Sequence, residues 1–187
     1  MRARSITRAV PAVILTAFVF SALASDRGSN PVAMKLNISW KGRAITLADK
    51  KLAHTFYFED EVDAYQIQKA KLQSAREADG FIYFLFDVTG WSLGSSPVGH
   101  GFCGSGEEKN LIWVKLDAAW HIIEKQSVLY ASCTQNIEGH DSEQPTWVGD
   151  TLSLSIDDYN KKETRKIEYS LKDMDKGLQV TTEGTLK

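Results

Sequence analysis

The stretch from Gly99 to Cys133 is the part of the sequence around which the rest of the chain is organised. It reads G-H-G-F-C-G-S-G-E-E-K-N over residues 99–110 and L-I-W-V-K-L over residues 111–116, and a second strand-like run then ends at Cys133. Both cysteines of the chain and its densest glycine cluster lie within it. Two apolar runs of this kind behind a glycine-rich segment predict strands that follow a cross-linked loop.

The first 24 residues are predicted to be a secretory signal peptide. They contain three arginines within the first eight residues, a short apolar core over residues 10–20, and the small-residue cleavage site Ala22-Leu23-Ala24. The apolar run is shorter than the roughly 18 to 20 residues that cross a bilayer, so we expect no membrane span after cleavage. We therefore expect a periplasmic or secreted protein in which residues 25–187 form a single β domain.

The charge balance gives no reason to expect nucleic acid or an anionic membrane as a partner. The chain has 22 Lys+Arg and 24 Asp+Glu. Cleavage of the signal would remove three arginines, which leaves 19 basic against 24 acidic residues and a net charge of −5. Binding to a polyanion needs a basic patch, and the charges are spread evenly along the sequence.

The two cysteines predict one disulfide bond, between Cys103 and Cys133. An exported protein folds in an oxidising compartment, where paired cysteines are usually bonded. A bond across this separation of 30 residues would stabilise the fold by roughly 3 to 4 kcal/mol, because it lowers the entropy of the unfolded chain. Two buried free thiols are the alternative.

Short strands account for most of the remaining chain. Apolar and polar residues alternate over residues 34–41, 151–156 and 166–171, which is the pattern of half-buried strands. Residues 81–88 are apolar on both faces, which predicts a central strand covered on each side. Nine or ten such strands separated by turns predict an all-β fold, either an antiparallel β-sandwich or a barrel-like meander, with one disulfide.

Residues 64–76 are ambiguous between a helix and a strand. Their Ala, Gln, Lys and Leu content favours a helix by intrinsic propensity. Their apolar positions form no clean helical stripe, however, and Asp79-Gly80 directly after them is a hairpin signal. We predict a long strand that pairs with residues 81–88 across this turn, with a helix as the alternative.

Several patterns are weaker than they look as catalytic or ligand motifs. Residues 99–104 match G-x-G-x-x-G, but a dinucleotide site needs a helix after the pattern, and a β-type run follows here. Ser105 lies between two glycines without the G-x-S-x-G sequence of a nucleophile elbow. The run His140-Asp141-Ser142-Glu143 has no second ligand cluster at metal-site spacing. We therefore expect no cofactor and no metal, and we assign no catalytic residue.

The leading hypothesis is a binding module that recognises or blocks another protein of the cell envelope. In size, compartment and architecture it resembles periplasmic enzyme inhibitors and toxin-immunity proteins. It would act through loops over residues 90–110 and 134–145, with candidate binding residues Trp91, His100, Phe102, Ser105, Glu107 and Glu108. The aromatic residues are candidate anchors, and the two glutamates would attract a basic partner.

Two other functional hypotheses stay open. One is a small-molecule binder with a barrel cavity lined by residues such as Phe84, Trp113 and Trp120. The other is a hydrolase that uses Ser105 or Glu107. A closed cavity would favour the small-molecule binder, and a pocket with converging His, Ser and carboxylate groups would favour the hydrolase. A filled core with protruding loops would favour the binding module.

Overall fold

Antiparallel strands make up nearly all the regular structure of the protein. The computed structural model describes residues 32–62, 64–92 and 106–186, which contain thirteen strands and two short 3₁₀ turns. The strands are β1 Val32–Ala33, β2 Asn37–Lys41, β3 Ala44–Ala48, β4 Ala53–Tyr57, β5 Ala64–Ala78, β6 Phe81–Ser92, β7 Glu107–Leu116, β8 Ile122–Ser132, β9 Ile137–Gly139, β10 Thr146–Val148, β11 Thr151–Asp158, β12 Glu163–Ser170 and β13 Gln179–Thr185. The 3₁₀ turns span His140–Ser142 and Met174–Lys176.

The strands form two sheets, and neither closes into a barrel. The smaller sheet has the order β2-β3-β4. The larger sheet has ten strands in the order β1-β5-β6-β7-β8-β9-β11-β12-β13, and β10 pairs with β11 beside this path. Its edge strands β1 and β13 are not paired with each other. The all-β prediction is confirmed, whereas a closed barrel-like meander is wrong.

Strands β6 and β7 separate two hydrophobic cores. Their even-numbered side chains, such as Phe84 and Val114, pack with the smaller sheet in the first core. Their odd-numbered side chains, such as Leu85 and Trp113, pack with residues of β11 and β12 in the second core. The larger sheet therefore curls so that its far half covers its own middle. The prediction of a doubly covered central strand over residues 81–88 is confirmed.

Strand β5 confirms the prediction of a strand over residues 64–76. It pairs with β6 across Asp79 and Gly80, which both have positive φ (53° and 81°), as a tight hairpin turn requires. The β5–β6 register shifts at three places, between Ala64 and Ile67, between Ile67 and Lys69, and between Leu72 and Ser74. Each shift interrupts the alternation of inward and outward side chains, which explains why the sequence pattern was ambiguous.

The structure corrects the predicted bounds of two loops. The 90–110 loop is shorter than expected, because β6 continues to Ser92 and β7 begins at Glu107. Residues 134–145 are not wholly a loop, since they contain β9 and a 3₁₀ turn.

The predicted disulfide cannot be traced within the described part of the chain. Cys103 lies in residues 93–105, outside the described ranges, so those ranges hold no complete disulfide. Cys133 follows β8 directly and is not a free thiol. The bond between Cys103 and Cys133 therefore stays a prediction.

Candidate binding surface

The predicted site residues divide into those the structure describes and those outside it. His100, Phe102 and Ser105 lie in residues 93–105, so their roles stay predictions. The other three, Trp91, Glu107 and Glu108, lie at the end of β6 and the start of β7, which flank that segment in sequence. Trp91 is half-buried and lies in β6 rather than on a loop, directly opposite Glu107 of β7.

Glu108 is fully buried and therefore cannot attract a basic partner from the surface. Its Oε1 accepts hydrogen bonds from Ser92 Oγ at 2.5 Å and from Thr134 Oγ1 at 3.1 Å. Within the described residues its Oε2 has no hydrogen-bond partner. Glu108 thus connects the end of β6 to the residue that follows Cys133, and we correct its expected role from partner recognition to positioning.

A polar pocket of about 400 Å³ lies between the face of strands β5 to β8 and residues 144–145. It continues from the second core, because Asp87 and Thr89 follow Tyr83 and Leu85 on the same face of β6. The side chains that line it are almost all polar: Gln68, Lys69, Lys71, Gln73, Asp87, Thr89, Glu107, Lys109, Tyr130, Gln144 and Pro145. The pocket connects the base of the 90–110 segment, by which we mean the end of β6 and the start of β7, to the predicted binding loop over residues 134–145.

Asp87 holds the floor of the polar pocket together. Its Oδ1 accepts a hydrogen bond from Tyr130 Oη at 2.7 Å, and its Oδ2 accepts one from Gln73 Nε2 at 3.1 Å. Gln73 Oε1 in turn accepts a bond from Trp147 Nε1 at 3.4 Å. Burial and the charge of Asp87 raise the pKa of Tyr130 above its usual value, so the phenol stays neutral. Both oxygens of Asp87 are occupied, which makes it a structural group rather than a base.

The polar pocket has a small excess of positive charge, since three lysines line it against Asp87 and Glu107. Glu107 Oε2 forms an ion pair with Lys109 Nζ at 3.5 Å. Lys69 and Lys71 are exposed, and neither forms an ion pair with any described residue. The pocket therefore suits an anionic group, whereas the sequence predicted a surface for a basic partner.

The histidine-containing run after β9 forms a carboxylate–imidazole pair instead of a metal site. His140 Nδ1 lies 2.8 Å from Asp157 Oδ2, and Thr164 Oγ1 donates to Asp157 Oδ1 at 2.7 Å. The other ring nitrogen of His140 lies 3.7 Å from Asp141 Oδ2. Asp157 thus fixes the orientation of the His140 ring, and Asp141 lies near its other nitrogen. The searched, described residues contain no group of three metal-ligating side chains.

The three aromatic residues proposed to line one barrel cavity do not share a cavity. Phe84 and Trp113 are both fully buried but lie on opposite faces, in the first and second cores. Trp120 packs against Phe84, with ring centroids 5.5 Å apart. These side chains fill cores, so the predicted cavity lined by all three is wrong, and the small-molecule hypothesis stays a prediction.

A second concave region, which the sequence reasoning missed, is a groove between residues 34–38 and β5. Its volume is about 1060 Å³, and we call it the basic groove. Five cations line it together with a single acidic residue: Lys35, Lys50, Lys51, Lys71, Arg76 and Asp49. A signal was present, because residues 32–76 contain eight Lys+Arg against five Asp+Glu. The even spread of charge inferred from the whole chain hid this local excess.

Comparison with protein-family models, with curated proteins and with solved structures gives no match to this chain. Of the helices in the described residues, none has the length and apolar character needed to cross a membrane.

Proposed function

We propose that this protein is an exported binding module that recognises another protein of the cell envelope, as an inhibitor or immunity-type protein would. The observation that carries this proposal is that large side chains fill both cores, while the polar pocket lies on the surface beside the end of β6 and the start of β7. Core residues such as Phe84, Leu85 and Trp113 are fully buried. A scaffold with filled cores of this kind holds its surface groups rigidly.

The binding surface comprises the polar pocket and the base of the 90–110 segment beside it. The buried Glu108 holds this base in place because it accepts hydrogen bonds from Ser92 and Thr134. A preorganised surface loses less entropy on association, so a few anchoring residues provide most of the binding energy. Trp91 is the apolar anchor among the described residues, and Lys69 and Lys71 select a carboxylate or another anionic group.

Capture from envelope extract, followed by titration of the captured partner, tests this proposal. The variants are Trp91→Ala in the proposed surface, Lys69→Gln in the polar pocket, and Lys162→Gln as a control. Lys162 is an exposed cation without an ion pair among the described residues, and it lies in the turn between β11 and β12. We expect Trp91→Ala to weaken binding by more than about 1 kcal/mol, as truncation of an anchoring aromatic does.

The two remaining variants decide where the partner binds. Lys69→Gln should weaken binding about two- to five-fold and reduce its dependence on salt, because an exposed ion pair contributes only modestly. Lys162→Gln should leave binding unchanged. A partner that binds all three variants as tightly as the unaltered protein would place the binding surface elsewhere. Recovery of a small molecule in place of a protein would contradict the proposed function itself.

A further inference from the structure

We propose that the basic groove receives an extended acidic segment of a partner protein, which adds as a strand along the open edge of β5. This inference rests on the proposed function in one respect, namely that the partner is a protein. It adds a second contact surface and names the chemistry of the partner. Three features of the groove support it: unpaired charge, an open sheet edge, and an apolar floor.

The cations of the basic groove have no ion-pair partner among the described residues. Every ion pair in the described chain has its Lys, Arg or His at residue 109 or beyond. Asp49, the one acidic residue of the groove, accepts backbone hydrogen bonds from Lys51 and Leu52 at 2.7 Å each. Those bonds to Lys51 and Leu52 lower the pKa of Asp49 and commit its carboxylate to the local turn. The groove therefore attracts negative charge from outside the chain.

One wall of the basic groove is an unpaired edge of the larger sheet. Strand β5 has β6 on one side and β1 on the other, but β1 pairs only with Arg76 and Glu77. The open edge is bounded at one end by Gln68, whose carbonyl accepts a bond from Trp40 Nε1 at 3.0 Å. It is bounded at the other end by Ala75, whose carbonyl accepts a bond from Met34 N at 3.1 Å.

The open edge is long enough for a short strand. Residues 69–74 lie between these two contacts, and no described strand pairs with them on that side. Six residues in extended conformation span about 20 Å. Unpaired backbone groups of a sheet edge can bond a peptide by strand addition, which is a common mode of peptide recognition.

The floor of the basic groove is apolar. Met34, Leu36, Ile38 and Leu72 are partly buried and pack against the first core. Successive side chains of a strand point to opposite sides. An added strand would therefore place one set of side chains on this floor and the other set among the lysines. The matching sequence alternates apolar residues with Asp or Glu.

These features favour a peptide over other anionic ligands. A flat membrane surface cannot enter a concave groove, and a nucleic acid offers no amide groups to complete the edge of a sheet. A lipid or a nucleic acid would engage only the cations. A peptide would satisfy the cations, the backbone edge and the apolar floor together.

Direct titration with a labelled synthetic peptide of alternating Glu and Val tests this inference on the purified protein. We expect binding that weakens as salt is raised, because exposed charges are screened. A matched Lys–Val peptide should not bind. The same Glu–Val peptide with alternate backbone amides N-methylated keeps its charge but loses strand donors, and we expect it to bind at least ten-fold more weakly. Equal binding of the N-methylated peptide would overturn strand addition.

Variants of the protein locate the peptide. Lys50→Gln with Lys51→Gln removes two groove cations on an exposed turn and should weaken peptide binding about five- to ten-fold. Lys162→Gln is the control and should have no effect. Unchanged binding in the Lys50 and Lys51 variant would overturn the groove as the site. Tighter binding of phosphatidylglycerol vesicles or single-stranded DNA than of the peptide would overturn the peptide as its occupant.

Failure of this inference differs in outcome from failure of the proposed function. Lys50 and Lys51 lie outside the polar pocket, and Lys69 lies outside the basic groove. If the captured partner responds to Lys69→Gln but no acidic peptide binds, the proposed function stands and the groove inference fails. If the peptide binds at the groove but no envelope protein is captured, the groove inference alone is supported.

Discussion

The part of the chain that precedes β6 and the part from β7 onward use their charged residues in opposite ways. In residues 107–186, eight of nine Lys and Arg residues form ion pairs, and only Lys162 does not. In residues 32–76, none of the eight Lys and Arg residues forms an ion pair with a described residue. Arg43 is the one cation there with a clear structural role, since it donates to the carbonyls of Ala64 and Glu59 at 2.8 Å each.

This difference separates charge that specifies the fold from charge that remains for a partner. In the later part, Arg165 Nη2 lies 3.0 Å from Asp158, whose side chain is only 4% exposed. Loss of such a cation leaves a buried carboxylate uncompensated. In the earlier part, Lys69 and Lys71 extend from β5 into solvent. Their removal should change the stability of the fold little and the binding of an anionic partner more.

The largest expected effect tests whether the two parts fold as one cooperative unit. Phe84→Ala opens the first core, where Phe84 contacts Phe56, Phe86 and Trp120. Leu154→Ala opens the second core, where Leu154 is 1% exposed. We expect losses of about 3 to 5 kcal/mol and about 2 to 5 kcal/mol, respectively, in the free energy of unfolding. Chemical denaturation measures both values.

Hydrogen exchange on the same two variants shows how far each loss spreads. Strands β6 and β7 belong to both cores, so we expect either substitution to lower amide protection throughout the two sheets. If Phe84→Ala instead released only β2, β3 and β4 while β11 and β12 kept full protection, the two parts would be independent units joined at β6.

The second expected effect compares two cations on strands. Arg165→Met should lower the free energy of unfolding by about 3 kcal/mol, because Asp158 would stay buried with Lys161 as its remaining partner, through a backbone N–H at 3.0 Å and the ammonium at 3.7 Å. Lys71→Met should change it by less than about 0.5 kcal/mol, as usual for an exposed side chain without a partner. Urea unfolding of both variants measures the difference. Equal effects of the two substitutions would remove the distinction between structural and available charge.

The sequence predicted the central part of the fold because the relevant signals are local. Residues 81–88 are apolar on both faces, and that pattern alone requires cover on both sides. Asp79-Gly80 fixed the hairpin, since both residues adopt positive φ. The curl of the larger sheet could not be predicted from the sequence, because it depends on which distant strands pack on the odd-numbered side chains of β6 and β7.

The candidate surfaces were harder to predict, for two physical reasons. Glu108 looked exposed within the run E-E-K-N, yet it continues the inward positions of Ile112 and Val114 with a period of two. Extending that alternation backwards from residue 112 would have predicted its burial. The basic groove gives only the compositional signal noted above, because Lys35, Lys51 and Lys71 are far apart in sequence and meet along one groove only in the folded chain.

The third expected effect concerns close backbone approach at the end of β6. A Cβ atom at Gly90 would lie 2.4 Å from Ala64 Cβ and 2.6 Å from the backbone oxygen of Gln66. Since backbone cannot move aside cheaply, Gly90→Ala should lower the free energy of unfolding by about 1 to 3 kcal/mol. Gly184 of β13 has nothing within 4 Å of such an atom, so Gly184→Ala should stay within about 0.5 kcal/mol. Thermal unfolding compares the two, and a Gly90→Ala protein as stable as Gly184→Ala would show that β5 and β6 are not closely apposed there.

The smallest expected effect is a pH dependence that belongs to the later part of the chain alone. The hydrogen bond and the charge of Asp157 raise the pKa of His140 above its ordinary value of 6.5, with Asp141 and Glu143 adding to the effect. Burial opposes ionisation of Asp157, but hydrogen bonds from Thr164 and His140 outweigh it and lower the pKa of that carboxyl below its ordinary 3.8. The protonated imidazole therefore stabilises the folded state fully below pH 6.5, and this stabilisation is lost as the pH rises through the higher folded pKa. The contribution of Asp157 is lost at the acid end, as the pH falls through its lowered pKa.

Urea unfolding at pH 6 and at pH 8.5 isolates the histidine contribution. The unaltered protein should lose stability between these two values, and His140→Gln should lose less, because glutamine has no proton to release. Lys71→Gln is the matched control from the earlier part of the chain, since the Lys71 ammonium has no carboxylate partner among the described residues. It should show the same change in the free energy of unfolding between the two pH values as the unaltered protein. If His140→Gln and the unaltered protein fell in parallel, the His140–Asp157 pair would contribute nothing to the pH dependence of folding in this range. The loss would then have to come from another group that changes its charge between these two pH values.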